Sequence, residues 1–127
     1  MNLTYIIAVA SGGAVGAVLR FVISTTINER LVNFPYGTLF VNLLGSFIMG
    51  LLMAYFQVHI QLSPALKFFL LTGILGALTT YSTFAIESFI LLQAGEYTQA
   101  FASMALNLLG SIFLAGLGYL LIIQLSK

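Results

Sequence analysis

The segment from Gly73 to Phe84 places two glycines and a run of hydroxyl-bearing residues, Thr79 to Thr83, inside a stretch that is otherwise apolar enough to cross a bilayer. These residues favour a break in the helix, and backbone that leaves the helix at membrane depth must be buried in protein or line a polar cavity. Carbonyl groups released there could hold a cation, and the N-terminus of the next half-helix could face an anion. The alternative is that the hydroxyls bond to carbonyls four residues earlier and that the glycines only permit close helix packing.

The composition is that of an integral, multi-pass membrane protein, which we expect in the plasma membrane of the cell. Of 127 residues 61% are hydrophobic and 6% are charged, where a soluble domain has about 25% charged residues. The net charge of +1 gives no electrostatic basis for binding nucleic acid. No pair of nucleophile and base and no phosphate loop indicates an enzyme, and no cysteine is present.

The pattern of apolar segments predicts an all-α membrane protein that forms a single four-helix domain. The third helix is the broken one. Asn28, Glu29 and Arg30 are expected to belong to the connection between the first two spans. The predicted spans are residues 3–27, 37–56, 67–92 and 98–125.

The second and fourth spans each carry three polar residues at four-residue spacing, which places the residues of each set on one helix face. Such stripes either join helices by hydrogen bonds or line a path for a polar solute. Six polar groups exceed what four short helices need to hold together, so we favour a lined path. The two sets are Thr38, Asn42 and Ser46, and Ser103, Asn107 and Ser111.

Two charged residues lie inside the predicted spans, away from their ends. Arg20 either extends its side chain to the headgroups or lies at the inner end of a polar cavity, where it would attract anions. Glu87 is a candidate functional carboxylate, but we favour a structural role in which it fixes the broken helix, and we assign Thr38 a structural role as well. His59 has no histidine or acidic neighbour that would complete a metal site.

The positive charges are balanced across the membrane. Four spans place Lys67 and Lys127 on one side and Arg20 and Arg30 on the other. Because lysine and arginine in flanking loops set the orientation of a membrane protein, this chain carries almost no instruction for one orientation. We therefore expect dual topology and an antiparallel dimer whose two-fold axis lies in the membrane plane.

Three segments resemble the Fluc (CrcB) family of fluoride channels, and the resemblance extends along nearly the whole chain. Gly12 to Arg20 is similar to the first-helix motif of the family, and Gly37 to Phe47 is similar to its second-helix motif. Gly73 to Phe84 resembles the third-helix motif, which usually ends in Thr-Thr-Phe-Ser-Thr-Phe.

The resemblance implies a fluoride-selective channel that exports F⁻ from the cytoplasm by passive electrodiffusion and so lowers fluoride toxicity. It implies a dual-topology homodimer in the lipid bilayer, with two pores and one structural Na⁺ at the dimer axis. The backbone carbonyls of Gly76 and Thr79 would hold the Na⁺, and Arg20 would lie in the vestibule. The pore would be lined by Asn42, Tyr81, Thr83, Phe84, Ser103, Asn107 and Ser111.

Two departures from the family pattern leave alternatives open. Tyr81 stands where the family usually has Phe, and Ser103 stands where relatives often have Tyr. A paralogous subunit could therefore complete a heterodimeric fluoride channel. A small multidrug-type antiporter would need a carboxylate in the first span and tryptophan in its cavity, and the chain has neither. A non-transporting assembly protein, in which the stripes serve packing alone, is the third possibility.

Overall fold

The computed structural model describes all residues, Met1–Lys127, and every regular element is a helix. Four segments are long and apolar enough to cross a membrane, so the predicted all-helical architecture with four spans is confirmed. The third span, Pro64–Gln93, is bent and consists of two helices, α3 and α4. The helices are α1 (Leu3–Arg30), α2 (Tyr36–Val58), α3 (64–78), α4 (Tyr81–Gln93) and α5 (Tyr97–Leu125).

The bend in the third span occurs at two threonines. The ψ angle of Thr79 is 153°, and Thr80 has φ −148° and ψ 116°, so both residues are extended between α3 and α4. Thr80 is the N-cap of α4, where its Oγ1 accepts the Thr83 N–H at 3.3 Å. Thr79 Oγ1 instead donates to the Leu75 carbonyl at 3.0 Å. Thus Thr79 bonds back to its own helix, whereas Thr80 caps the following one.

The first helix is longer than predicted. It continues to Arg30 and includes Asn28, which the sequence analysis placed in the connection. Asn28 remains helical while its Oδ1 accepts the Gly37 N–H at 2.9 Å, so the last turn of α1 holds the start of α2. Arg20 consequently lies ten residues, or roughly 15 Å, before the end of α1 at 1.5 Å per residue.

Glycines allow close backbone contact between α1 and α3 and between α2 and α5. A Cβ atom on Gly73 would lie 2.8 Å from the Cα of Gly12, and a Cβ on Gly118 would collide with the Phe47 carbonyl. Helices in a membrane associate through such packing because lipid provides no hydrophobic driving force between them. Each of the two pairs of helices is held together by close contact between backbones at glycines rather than by long apolar side chains.

The buried core is small and adjoins the bend. Val41 of α2 packs with Leu75 and Leu78 of α3, and all three side chains are almost fully buried. Polar residues are buried beside this cluster, among them Asn42 and Thr80. The interior next to the bend therefore contains polar as well as apolar groups, and the polar groups need hydrogen-bond partners within the protein.

We predict that Gly73→Ala destabilises the protein because the added methyl group meets backbone atoms of α1, which cannot move without separating the helices. Overpacking of this kind costs roughly 1–3 kcal/mol. Gly116→Ala is the matched control, since a Cβ there has no atom within 4 Å. Thermal unfolding in detergent should give a lower midpoint for Gly73→Ala than for Gly116→Ala. Equal midpoints would contradict packing through this glycine.

Candidate functional site

The side-chain amide of Asn42 pairs with the backbone at the bend. Its Oδ1 accepts the Thr80 N–H at 2.7 Å, and its Nδ2 donates to the Thr80 carbonyl at 3.1 Å. The same Nδ2 donates to Asn107 Oδ1 at 2.8 Å. Both amide hydrogens of Asn42 are thus bonded to protein acceptors. Asn42 joins α2, the bend and α5.

The network continues along α5. Asn107 Nδ2 donates to the Ser103 carbonyl at 2.9 Å and to Ser103 Oγ at 3.3 Å. Asn107 lies in the π-helical segment Leu106–Gly110, and a second π-helical segment, Phe68–Leu75, precedes the bend. Such turns are rare in proteins and occur frequently at functional sites. The polar interior therefore lies between two irregular helical segments.

The bend redirects two backbone donors. In a continuous α-helix, the Thr80 N–H would bond to the Gly76 carbonyl, and the Thr83 N–H would bond to the Thr79 carbonyl. In the structure the Thr80 N–H donates to Asn42 Oδ1, and the Thr83 N–H donates to Thr80 Oγ1. The carbonyls of Gly76 and Thr79 therefore lose the donors that a regular helix would supply. Their oxygens are suited to a hard cation such as Na⁺.

A cavity of about 600 Å³ lies between α2, the bend and α5. Its wall is mainly apolar and contains no charged side chain, and its polar groups are amides, hydroxyls and backbone atoms. Of the seven residues expected at the pore, five line this cavity, and Thr83 and Ser103 do not. Thr83 hydrogen-bonds to Thr80, and Ser103 is fully buried behind Asn107. The five residues are Asn42, Tyr81, Phe84, Asn107 and Ser111.

Two aromatic rings border the cavity at the start of α4. The centroids of Tyr81 and Phe84 are 5.5 Å apart, and the rings meet edge to face at 72°. Ring edges carry partial positive charge, so they can face an anion. Tyr81 is 79% exposed on this single chain. Its hydroxyl is therefore free of the interior network.

Glu87 lies outside the cavity and forms a contact with α2. Thr38 Oγ1 donates to Glu87 Oε1 at 2.7 Å, while Glu87 Oε2 is buried without a partner. Glu87 borders a smaller cavity of about 330 Å³ beside the connection between α1 and α2. Arg20 lines neither cavity. No cluster of histidine, cysteine or acidic residues suited to a metal ion occurs in the structure.

Sequence reasoning missed two polar residues of the cavity wall, Thr80 and Ser46. The spacing of Thr80 and Thr83 is typical of a helix N-cap and could have indicated where α4 begins. Ser46 was placed on the polar stripe of α2 but was not assigned to the site. Its position on the same helix face as Asn42 was the available indication.

Comparison with known proteins identifies a family and several similar proteins. Residues 7–119 match the model of the family described as CrcB-like protein, Camphor Resistance (CrcB). The chain is 52% identical over 123 residues to the fluoride-specific ion channel FluC of Sulfurimonas denitrificans, covering 96% of this chain and 95% of that protein. It is 46% identical over 118 residues to the Aquifex aeolicus protein of the same name, covering 91% and 94% of the two chains. For the protein of that name from Escherichia coli O1:K1 / APEC, the identity is 44% over 115 residues, covering 91% of each chain.

We predict that Asn42→Ala lowers stability more than Asn107→Ala. Removing the Asn42 amide leaves the Thr80 N–H and the Asn107 Oδ1 without their partner, and each buried unsatisfied group costs roughly 1–3 kcal/mol. Removing the Asn107 amide leaves one hydrogen of Asn42 unpaired. Unfolding of both single variants and the double variant in detergent measures the coupling between the two amides. Additive losses would show that the two residues act independently and would contradict a shared network.

Proposed function

The chain belongs to the CrcB family, and on that premise we propose that it is a fluoride-specific ion channel, a multi-pass protein of the cell membrane. It exports F⁻ from the cytoplasm by passive electrodiffusion and so lowers fluoride toxicity. The observation that carries this proposal is similarity over nearly the full length to relatives that bear the name fluoride-specific ion channel. The structure supports it with the cavity beside the bend, which has no charged side chain and presents a few hydroxyl, amide and backbone groups in a mainly apolar wall.

Fluoride is small and strongly hydrated, so a selective pore must replace its water with short hydrogen-bond donors. The cavity offers the Ser111 hydroxyl and the ring edges of Tyr81 and Phe84 without any fixed charge that would trap the ion. Asn42 is different, because both of its amide hydrogens are already bonded. A fluoride ion at Asn42 must compete with Thr80 or Asn107 for one of them. Arg20 then acts at a distance by raising the local anion concentration.

The functional unit in this proposal is an antiparallel dimer of two copies of the chain with two pores. Tyr81 and Gly76 are exposed on the single chain although they lie within a membrane span. Polar groups exposed to lipid at this depth are costly, so a second copy that covers them stabilises both chains. Each side of the membrane carries two positively charged residues, and this balance permits insertion in both orientations.

We further propose that the carbonyls of Gly76 and Thr79 hold a structural Na⁺ at the dimer axis. The fit rests on the two redirected donors at the bend, which leave these carbonyls without their helical partners. Two carbonyls from each copy supply four oxygen ligands, and the ion stabilises only the assembled dimer. Dimer stability that does not change with sodium concentration would contradict this assignment.

We predict that vesicles containing the purified protein release fluoride and retain chloride. Phe84→Ile should lower the fluoride flux severalfold because the substitution keeps the bulk of the side chain and removes the ring edge. Tyr81→Phe is the matched control and should keep its flux, since the ring remains and only the hydroxyl is lost. A fluoride-selective electrode measures the release. Wild-type vesicles that retain fluoride would exclude the channel function, and an unchanged flux in Phe84→Ile would remove ring edges from the mechanism.

We predict that several lysines added after Ser126 abolish function by fixing one orientation of the chain. Positive charge at that end biases it to the cytoplasmic side, so that only parallel chains remain. Co-expression with a copy biased in the opposite direction should restore fluoride release. Accessibility of cysteines introduced at the two ends of the chain reports the orientation. Full activity of a population with a single orientation would contradict the antiparallel dimer.

A further inference from the structure

The helices α2 and α5 contain the same pentapeptide. Asn42 to Ser46 and Asn107 to Ser111 both read Asn-Leu-Leu-Gly-Ser, at positions that differ by 65. One span separates the two helices, so they cross the membrane in the same direction. Equivalent residues of the repeat can therefore face each other at equal depth.

The packing of α2 on α5 follows the repeat. Asn42 bonds to Asn107, and a Cβ atom on Gly50 would collide with the carbonyl of Ala115. Both of these pairs are separated by 65 residues, as the two copies of the pentapeptide are. The two helices are therefore in register at both levels. Ser46 and Ser111, which have the same separation, lie between these levels, one on each helix.

The two serines differ from the asparagines of the repeat in how their polar groups are used. The asparagines bond to each other and to the protein, whereas Ser46 and Ser111 line the cavity and donate to no protein acceptor. Two serines of α1 behave differently. Ser11 donates to the Ile7 carbonyl at 2.7 Å, and Ser24 donates to the Arg20 carbonyl at 2.6 Å. Serines in helices often bond back in this way.

We propose that Ser46 and Ser111 form a paired-hydroxyl subsite for fluoride in this cavity, in which Ser46 is a fluoride-binding residue of α2. The proposal rests on the proposed channel function. Two O–H donors at one level on facing helices suit a small hard anion, because hydrogen bonds from hydroxyls to anions are short and strong. Neither donor has to leave a protein acceptor first, in contrast to the Asn42 amide.

The asparagines and the serines of the repeat therefore have different roles. The asparagines fix the depth of α2 relative to α5, and this register brings the serines to the same level. Gly110, which lies between Asn107 and Ser111, allows α5 to approach α2 closely, since a Cβ on Gly110 would lie 2.9 Å from Leu43 Cδ2. A chloride ion is larger and gains less from two donors at fixed separation. The pair therefore contributes to the selectivity for fluoride as well as to its binding.

The test compares Ser46→Ala, Ser46→Thr, Ser111→Ala and the double alanine variant in vesicles, with fluoride and chloride as the permeant ions. Loss of one hydrogen bond to an ion should lower fluoride flux about tenfold in each alanine variant. Ser46→Thr keeps the hydroxyl and should retain most of the flux. The double variant should lose less than the product of the single losses, because both donors bind one ion. Ser11→Ala is the matched control, since its hydroxyl bonds to its own helix outside the cavity.

Each outcome decides the proposal. Wild-type flux in Ser46→Ala, with a conducting wild-type protein, would overturn the subsite and leave the channel function intact. A wild-type protein that conducts no fluoride would overturn both. A loss in Ser46→Ala that Ser46→Thr does not restore, together with a lower unfolding midpoint, would assign Ser46 to packing and overturn the subsite. A reduced flux that threonine restores, with a lowered ratio of fluoride to chloride permeability, supports it.

Discussion

The reciprocal hydrogen bonds between the Asn42 amide and the backbone of Thr80 make the bend in the third span possible. An extended residue in a membrane helix leaves an N–H and a carbonyl that lipid cannot satisfy, at a cost of several kcal/mol for each group. A side-chain amide carries the same donor and acceptor as a peptide group, so Asn42 accepts the Thr80 N–H, which has no helical acceptor, and also donates to the Thr80 carbonyl. The bend is therefore stabilised from the neighbouring helix α2, and it persists only where α2 and the third span keep their relative positions.

The same exchange of partners produces the chemistry beside the bend. Because Asn42 and Thr80 accept the N–H groups that a helix would direct to Gly76 and Thr79, two carbonyls become available at membrane depth. Restarting the helix at Tyr81 also orients the first turn of α4, in which Tyr81 and Phe84 meet edge to face at the cavity. Groups suited to a cation and groups suited to an anion thus arise from one backbone irregularity. Neither requires a charged side chain in the cavity.

Composition and apolar periodicity were sufficient to predict four spans, because the length and polarity of a membrane helix follow directly from the thickness of the bilayer. The hydroxyl run likewise indicated where the third span departs from a regular helix. The hydrogen-bond partner of each polar group was not predictable, because it depends on the depth of one helix relative to its neighbour. Asn42 was expected to line the pore, and no sequence pattern indicated that both of its amide hydrogens bond to protein in the single chain. Asn28 was expected in a connection, yet it remains helical because Gly37 supplies its partner.

The relative depth of α2 and α5 is set by a polar contact between asparagines. Apolar side chains alone specify such a register weakly, because one helix can slide along another at little cost when lipid surrounds both. A buried amide pair penalises that movement, as a buried asparagine does in a coiled coil, since a shift leaves both amides unsatisfied. The Asn42 and Asn107 pair therefore fixes the position of Thr80 and of the serines in the repeat together. The bend and the cavity depend on one register, so disturbing that register changes both.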